Sequence, residues 1–184
     1  MKTIFVTLLA FTLLLLSCIK DEKEDVINYI EENDKLPEFT VKSATGEELY
    51  SENLSGNTTL LVFFVTTCVD CKRELPKIDS VWNELKDHPT FRLVTISRGE
   101  TVEVVNDFWK EQNFTMPFYL DPNKKVFSLF ANSTIPRVYL VNRENIVTWM
   151  AVEQMSLSAK PVSYTHLRAH ETRGNIVCRL LLEK

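Results

Sequence analysis

The sequence predicts an α/β domain, a central mixed β-sheet flanked by helices, and three observations predict it. An apolar run at 60–65 is rich in branched and aromatic residues and too short for a helix, which marks a buried central strand. From Cys68 onward Cys71, Leu75, Ile78, Trp82 and Leu85 recur every three or four positions, so that strand feeds an amphipathic helix. The chain then alternates strand-like and helix-like segments and closes on a hairpin, the pattern of helices layered on a sheet with both parallel and antiparallel pairs.

Residues 1–17 read as a signal peptide: a basic start at Met1-Lys2, an apolar stretch at 4–16, then Ser17-Cys18. The stretch is short for a lasting membrane span. Leu15-Leu16-Ser17-Cys18 resembles a bacterial lipobox, which implies lipidation of Cys18 as the first residue of the mature protein. Residues 18–35 are then a lipidated, charged tether, with Val26, Ile27, Tyr29 and Ile30 spaced for one short amphipathic helix. Ile19-Lys20-Asp21-Glu22 resembles an export signal for surface display. The expected location is the bacterial cell envelope, lipid-anchored on the periplasmic side or displayed at the surface, where a cysteine pair can cycle between thiol and disulfide.

The domain proper is expected over 36–160. It opens with a hairpin turned at 43–46, followed by the strand at 60–65 and the helix after Cys68. Next come a strand at 91–96, a helix near 101–112, a short strand at 118–120 and a short helix at 124–130. A strand at 137–141, a polar turn at 142–145 and a strand at 146–152 form the closing hairpin. Residues 161–184 show no amphipathic period and resemble translated sequencing-adaptor sequence. They are read as a non-native tail, and Cys178, His166 and His170 are given no role.

Cys68-Val69-Asp70-Cys71 carries the chemistry. One helical turn brings two cysteines at this spacing to the same helix end. Cys68 lies where backbone N–H groups lack intrahelical partners and the helix dipole is positive, and both favour the thiolate. The predicted reaction is attack by Cys68 on a substrate disulfide, a mixed disulfide, and resolution by Cys71, which lies deeper in the first turn. A carboxylate at Asp70 opposes the thiolate and shifts the pair toward the reducing end, although a solvated helix-start residue fits the sequence equally.

A CxxC pair is also half of a zinc site, but zinc takes four ligands. Before the tail the further candidates are His88 and Cys18, so no metal is expected, and no cofactor beyond the cysteine pair. With a formal charge of −4 and mixed signs along the chain, no nucleic-acid partner is expected either. The expected partners are protein thiols and disulfides, an upstream electron donor, and the membrane through the lipid.

Residues 36–152 resemble the TlpA/ResA-like branch of the thioredoxin superfamily. The resemblance rests on Leu36-Pro37-Glu38-Phe39, Leu60-Leu61-Val62-Phe63-Phe64, Cys68-Val69-Asp70-Cys71-Lys72-Arg73-Glu74-Leu75-Pro76 and Thr134-Ile135-Pro136. It implies a thioredoxin-like fold and an exported, membrane-tethered thiol-disulfide reductase. It further implies a C-terminal helix over the final hairpin, of which 153–160 is too short to supply the whole, so that helix is expected to be truncated. By the same resemblance Pro76 is the proline of the active-site helix and Pro136 is a cis-proline opposite the cysteines. Ile135, before it, pairs with an extended substrate. Glu74 matches an acidic residue near the cysteines and is expected to exchange protons with Cys71, although a surface carboxylate at a helix start fits the sequence equally.

Two departures stand out. Thr67 replaces the Trp that many relatives carry before the first cysteine, which bears on partner docking. Val62 replaces the buried Asp of thioredoxin itself. Two other functions compete. A peroxiredoxin-like peroxidase would need a P-x-x-x-T-x-x-C pattern, but Leu61 and Val65 stand at its Pro and Thr positions. A non-catalytic or copper-binding lipoprotein of the same fold would use a wider cysteine spacing and a later His.

Overall fold

In the computed structural model, residues 25–154 are described. The expected signal peptide, Cys18 and the expected non-native tail lie outside them. Seven strands form one sheet: β1 (Thr40–Ser43), β2 (Glu48–Tyr50), β3 (Thr58–Phe64), β4 (Phe91–Arg98), β5 (Tyr119–Asp121), β6 (Arg137–Val141) and β7 (Val147–Val152). Among the described residues two α-helices accompany them, α1 (Val69–Leu85) and α2 (Val102–Gln112). Spatial order is β2-β1-β5-β4-β3-β6-β7. The β3–β4 and β4–β5 pairs are parallel and the others antiparallel, so the sheet is mixed, as expected.

Every residue of β3 is buried, which is what a strand between two neighbours and two covered faces requires. Its side chains alternate. Leu60, Val62 and Phe64 join a core with Leu75, Ile78, Val105 and Trp109 from the helices, whereas Leu61 and Phe63 join Phe39, Phe127, Phe130 and Tyr139. On the helical side the Trp109 indole stacks near Phe64 and Phe118 and donates to the Met116 carbonyl at 2.9 Å. α2 ends at Asn113, which adopts the left-handed conformation that stops a helix (φ 56°).

Two local expectations are corrected. Residues 26–30 form no helix. Asn28 bridges Ala131, and the Tyr29 and Ile30 N–H groups donate to the Phe130 carbonyl at 2.9 and 3.2 Å. Asn132 fastens the same segment, accepting from the Ile27 N–H and donating to the Asp25 carbonyl. A five-residue helix has too few internal bonds to compete with such pairing. The stretch 25–35, read as part of the tether, thus runs along the domain as a strap. Further on, the Asn33 N–H reaches the Val147 carbonyl, and the Val147 N–H returns to Asp34.

The second correction concerns 124–130, where a single 3-10 turn at Phe127–Leu129 replaces the short helix. Lys124 is left-handed at φ 59°, which no α-helix start accommodates. The Phe127 N–H is taken by the buried Asp121 carboxylate at 2.8 Å.

Candidate active site

The active-site turn sits where β3 runs out and α1 begins. Cys68 is the N-cap of α1, with extended backbone, and its sulfur accepts the Cys71 N–H at 3.4 Å. This is one of the donors that a helix start leaves without a backbone partner. Both cysteines are thiols; Cys68 is half-buried and Cys71 is fully buried. Burial pushes the Cys71 thiol well above its ordinary range. Cys68 and Asp70 push the same way, and a hydrogen bond with the Val65 backbone opposes them.

Opposite the cysteines lies the loop before β6. The Ile135–Pro136 bond is cis, and the Cys68 thiol donates to the Ile135 carbonyl at 3.7 Å. Cys68, Cys71, Ile135 and Pro136 therefore meet at one point although they come from distant stretches of chain. Thr67 is exposed and Val69 is 77% exposed, so two small side chains flank Cys68.

Glu74 sits one turn further along α1 and is buried, its two oxygens held by Arg73 Nε at 2.9 Å and Lys77 Nζ at 2.8 Å. Arg73 also pairs with Asp70 at 2.7 Å. The pair is half-exposed, and the Asp70 charge still pushes the Cys71 thiol up. α1 continues through Pro76, which lacks the N–H that would complete the backbone ladder there.

A further group near the site escaped the sequence reading. Glu100, in the turn between β4 and α2, accepts the Thr66 N–H at 3.1 Å on each oxygen, the Thr66 hydroxyl at 2.6 Å and the Ser97 hydroxyl at 2.6 Å. This clamp fixes the backbone two residues before Cys68. Its trace in the sequence is a lone carboxylate directly after Gly99, at a strand-to-helix turn.

His88 lies beyond the far end of α1, where its ring meets Thr90. A helix of 17 residues spans about 25 Å, which puts His88 out of reach of the cysteines as a shared ligand. Among the described residues no three His, Cys, Asp or Glu side chains gather in the manner of a metal site, and no helix is long and apolar enough to cross a membrane.

The geometry has relatives. The chain is 26% identical over 145 residues to the thiol-disulfide oxidoreductase ResA of Bacillus subtilis, covering 79% of this chain and 80% of that protein. It is 32% identical over 111 residues to sporulation thiol-disulfide oxidoreductase A of the same organism, covering 58% and 65%. Among solved structures, a candidate protein disulfide isomerase from Bacteroides thetaiotaomicron superposes with a TM-score of 0.67 at 28% identity, over 70% of this chain and 83% of that one. These likenesses agree with the thioredoxin-like fold and the ResA-like branch that the motifs suggest. Residues 33–150 match the AhpC/TSA family, and the chain belongs to that family.

Proposed function

We propose that the protein is a thiol-disulfide oxidoreductase that reduces protein disulfides in the cell envelope. The observation that carries the reading is the pair of thiols in one helical turn, Cys68 half-exposed and Cys71 buried behind it, facing the Ile135 carbonyl. The names of the ResA and sporulation relatives support it.

In the first step the Cys68 thiolate attacks a substrate disulfide. One substrate sulfur leaves as thiolate, and the other stays bonded to Cys68 as a mixed disulfide. Cys71 then loses its proton and attacks the Cys68 sulfur, which releases the second substrate thiol and leaves a Cys68–Cys71 disulfide. The substrate gains two electrons and the protein loses two, and an external dithiol donor restores the pair. We assign the proton of Cys71 to Glu74, the buried carboxylate one turn on, and substrate docking to Thr67 and the Ile135 backbone. Burial of Cys71 opposes its thiolate, which keeps its proton in place until the resolving step and favours the reduced pair. Burial is the largest cause of that shift and Asp70 adds to it in the same direction, so the reducing bias that the sequence placed on Asp70 rests chiefly on burial.

The envelope location rests on the sequence of residues 1–18, with Cys18 as the lipid-bearing residue. Trapping tests the whole reading. A Cys71→Ser chain should accumulate partners on Cys68 as adducts released by dithiothreitol, and Cys68→Ser should hold none. Mass spectrometry of the same preparation should find lipid on Cys18. Absence of adducts under reducing flux would sink the mechanism, and an unmodified Cys18 would sink the anchor.

A further inference from the structure

Arg137, the first residue of β6, is fully buried, and its side chain lies on the sheet face opposite the two helices. Its guanidinium is devoted to the loop that faces Cys68. Nε donates to the carbonyls of Ser133 at 3.1 Å and Thr134 at 2.9 Å, and Nη2 to Ser133 at 2.9 Å. Nη1 reaches across to the Asn28 side-chain oxygen in the strap, at 2.6 Å. These acceptors are neutral oxygens.

A cation stripped of water is costly to keep, and an apolar side chain of like volume often serves stability as well or better. What the planar fork supplies that an apolar group does not is a fixed set of donors. Those donors bind the two residues before Ile135. Thr134 is β-branched yet sits at φ 66°, a backbone conformation that persists where its surroundings enforce it. Arg137 grips the Thr134 carbonyl, and the next carbonyl along is the Ile135 group that meets the Cys68 thiol.

We propose that Arg137, latched by Asn28 of the strap, is a positioning residue that holds the 133–136 loop in register with Cys68 for an extended substrate. The strap then becomes part of the site, because it supplies the acceptor that orients the outer end of the guanidinium. The proposal rests on the oxidoreductase reading. It adds that docking of a peptide backbone, rather than thiol exchange itself, depends on a contact made on the far side of the sheet.

The test compares two substrates with the full chain recycled by dithiothreitol. A short fluorescent peptide disulfide pairs with the Ile135 backbone; bis(2-hydroxyethyl) disulfide has no backbone to pair. Arg137→Gln should raise KM for the peptide about tenfold and Asn28→Ala about threefold, the scale of charge-assisted hydrogen bonds lost at the loop. For the small disulfide both variants should stay within about twofold of the parent chain. Asn28→Asp, which keeps an acceptor for Nη1, should restore the parent KM for the peptide. If Arg137→Gln fails to fold, the Asn28 pair decides alone. An unchanged peptide KM in folded Asn28→Ala, or equal losses on both substrates, overturns the proposal. A parent chain that turns over neither substrate overturns the oxidoreductase reading instead, and this inference with it.

Discussion

On one face of the sheet Leu60, Val62 and Phe64 meet two amphipathic helices; on the other, Leu61 and Phe63 meet the strap and short irregular turns. Both faces are buried, and both are aromatic-rich. Phe64 lies beside Trp109 at 4.9 Å between ring centroids, and Phe63 makes edge contacts with Phe127, Phe130 and Tyr139 at 5.4, 4.8 and 6.4 Å. The difference is in how the covering backbone is satisfied. Helices satisfy their own N–H and C=O groups, so the helical face needs nothing more than a fitting apolar stripe. The other face is covered by chain that must find partners elsewhere. It finds them in Asn132, Asp121 and Arg137, the last donating to the Ser133 and Thr134 carbonyls. Polar side chains are thereby drawn into that face, and one of them reaches the active-site loop.

If the second face is a core of the same quality, truncation there should hurt as much as truncation under the helices. Phe63→Ala is expected to lower stability by about 3–5 kcal/mol, matching Phe64→Ala. Urea denaturation of both variants checks this. A loss below about 1 kcal/mol for Phe63→Ala would show that the irregular cover yields around the gap and that the two faces are not equivalent.

The same contrast explains what was legible in the sequence. The face under α1 and α2 announced itself through Leu75, Ile78 and Leu85, since helical periodicity is a local signal. The motif and its strand were equally readable, because Leu60 through Phe64 form a run that only a buried strand accommodates. The strap and the 124–130 turn were not. Val26, Ile27, Tyr29 and Ile30 mimic a helical spacing, while their backbone is settled by Phe130 and Ala131, a hundred residues away in the chain. Arg137 was invisible for a related reason. A charged residue opening a strand reads as a solvated end, and its burial follows from acceptors at 28, 133 and 134 that converge only after folding. The pairing of Asp70 with Arg73 was readable as an i,i+3 contact.

A second prediction separates the faces by pH. Cys71 packs with the helical core, and its folded thiol is raised by burial above the unfolded value. A raised group gives stability that is fully present below the unfolded thiol's pKa of about 8.5 and is lost as pH climbs toward the folded value. The reduced chain should therefore lose stability above about pH 8.5, by at most about 1.4 kcal/mol per pH unit from this group. Cys71→Ser should remove that share of the slope. Thermal melts under dithiothreitol, kept below about pH 10 where unfolded tyrosines begin to ionise, measure it. An identical slope in Cys71→Ser would mean that the burial of Cys71 does not carry through to stability.

The smallest expected effect lies on the other face. The Tyr139 hydroxyl is buried and makes no hydrogen bond of ordinary distance and angle among the described residues, the Arg137 guanidinium being its near polar neighbour. Burial pushes its phenol up, while Arg137 beside it partly offsets the push. A buried hydroxyl without a well-formed hydrogen bond loses its water and gains little in return. Tyr139→Phe should then leave stability within about 1 kcal/mol of the parent chain, with the sign toward stabilisation. It should also leave peptide KM unmoved, because Arg137 keeps its grip on Ser133, Thr134 and Asn28. A loss above about 1.5 kcal/mol would instead make the hydroxyl a working member of the Arg137 network. The polar set that anchors the irregular face would then extend from the strap through Arg137 to the middle of β6, and the face would depend on it as the opposite one depends on its helices.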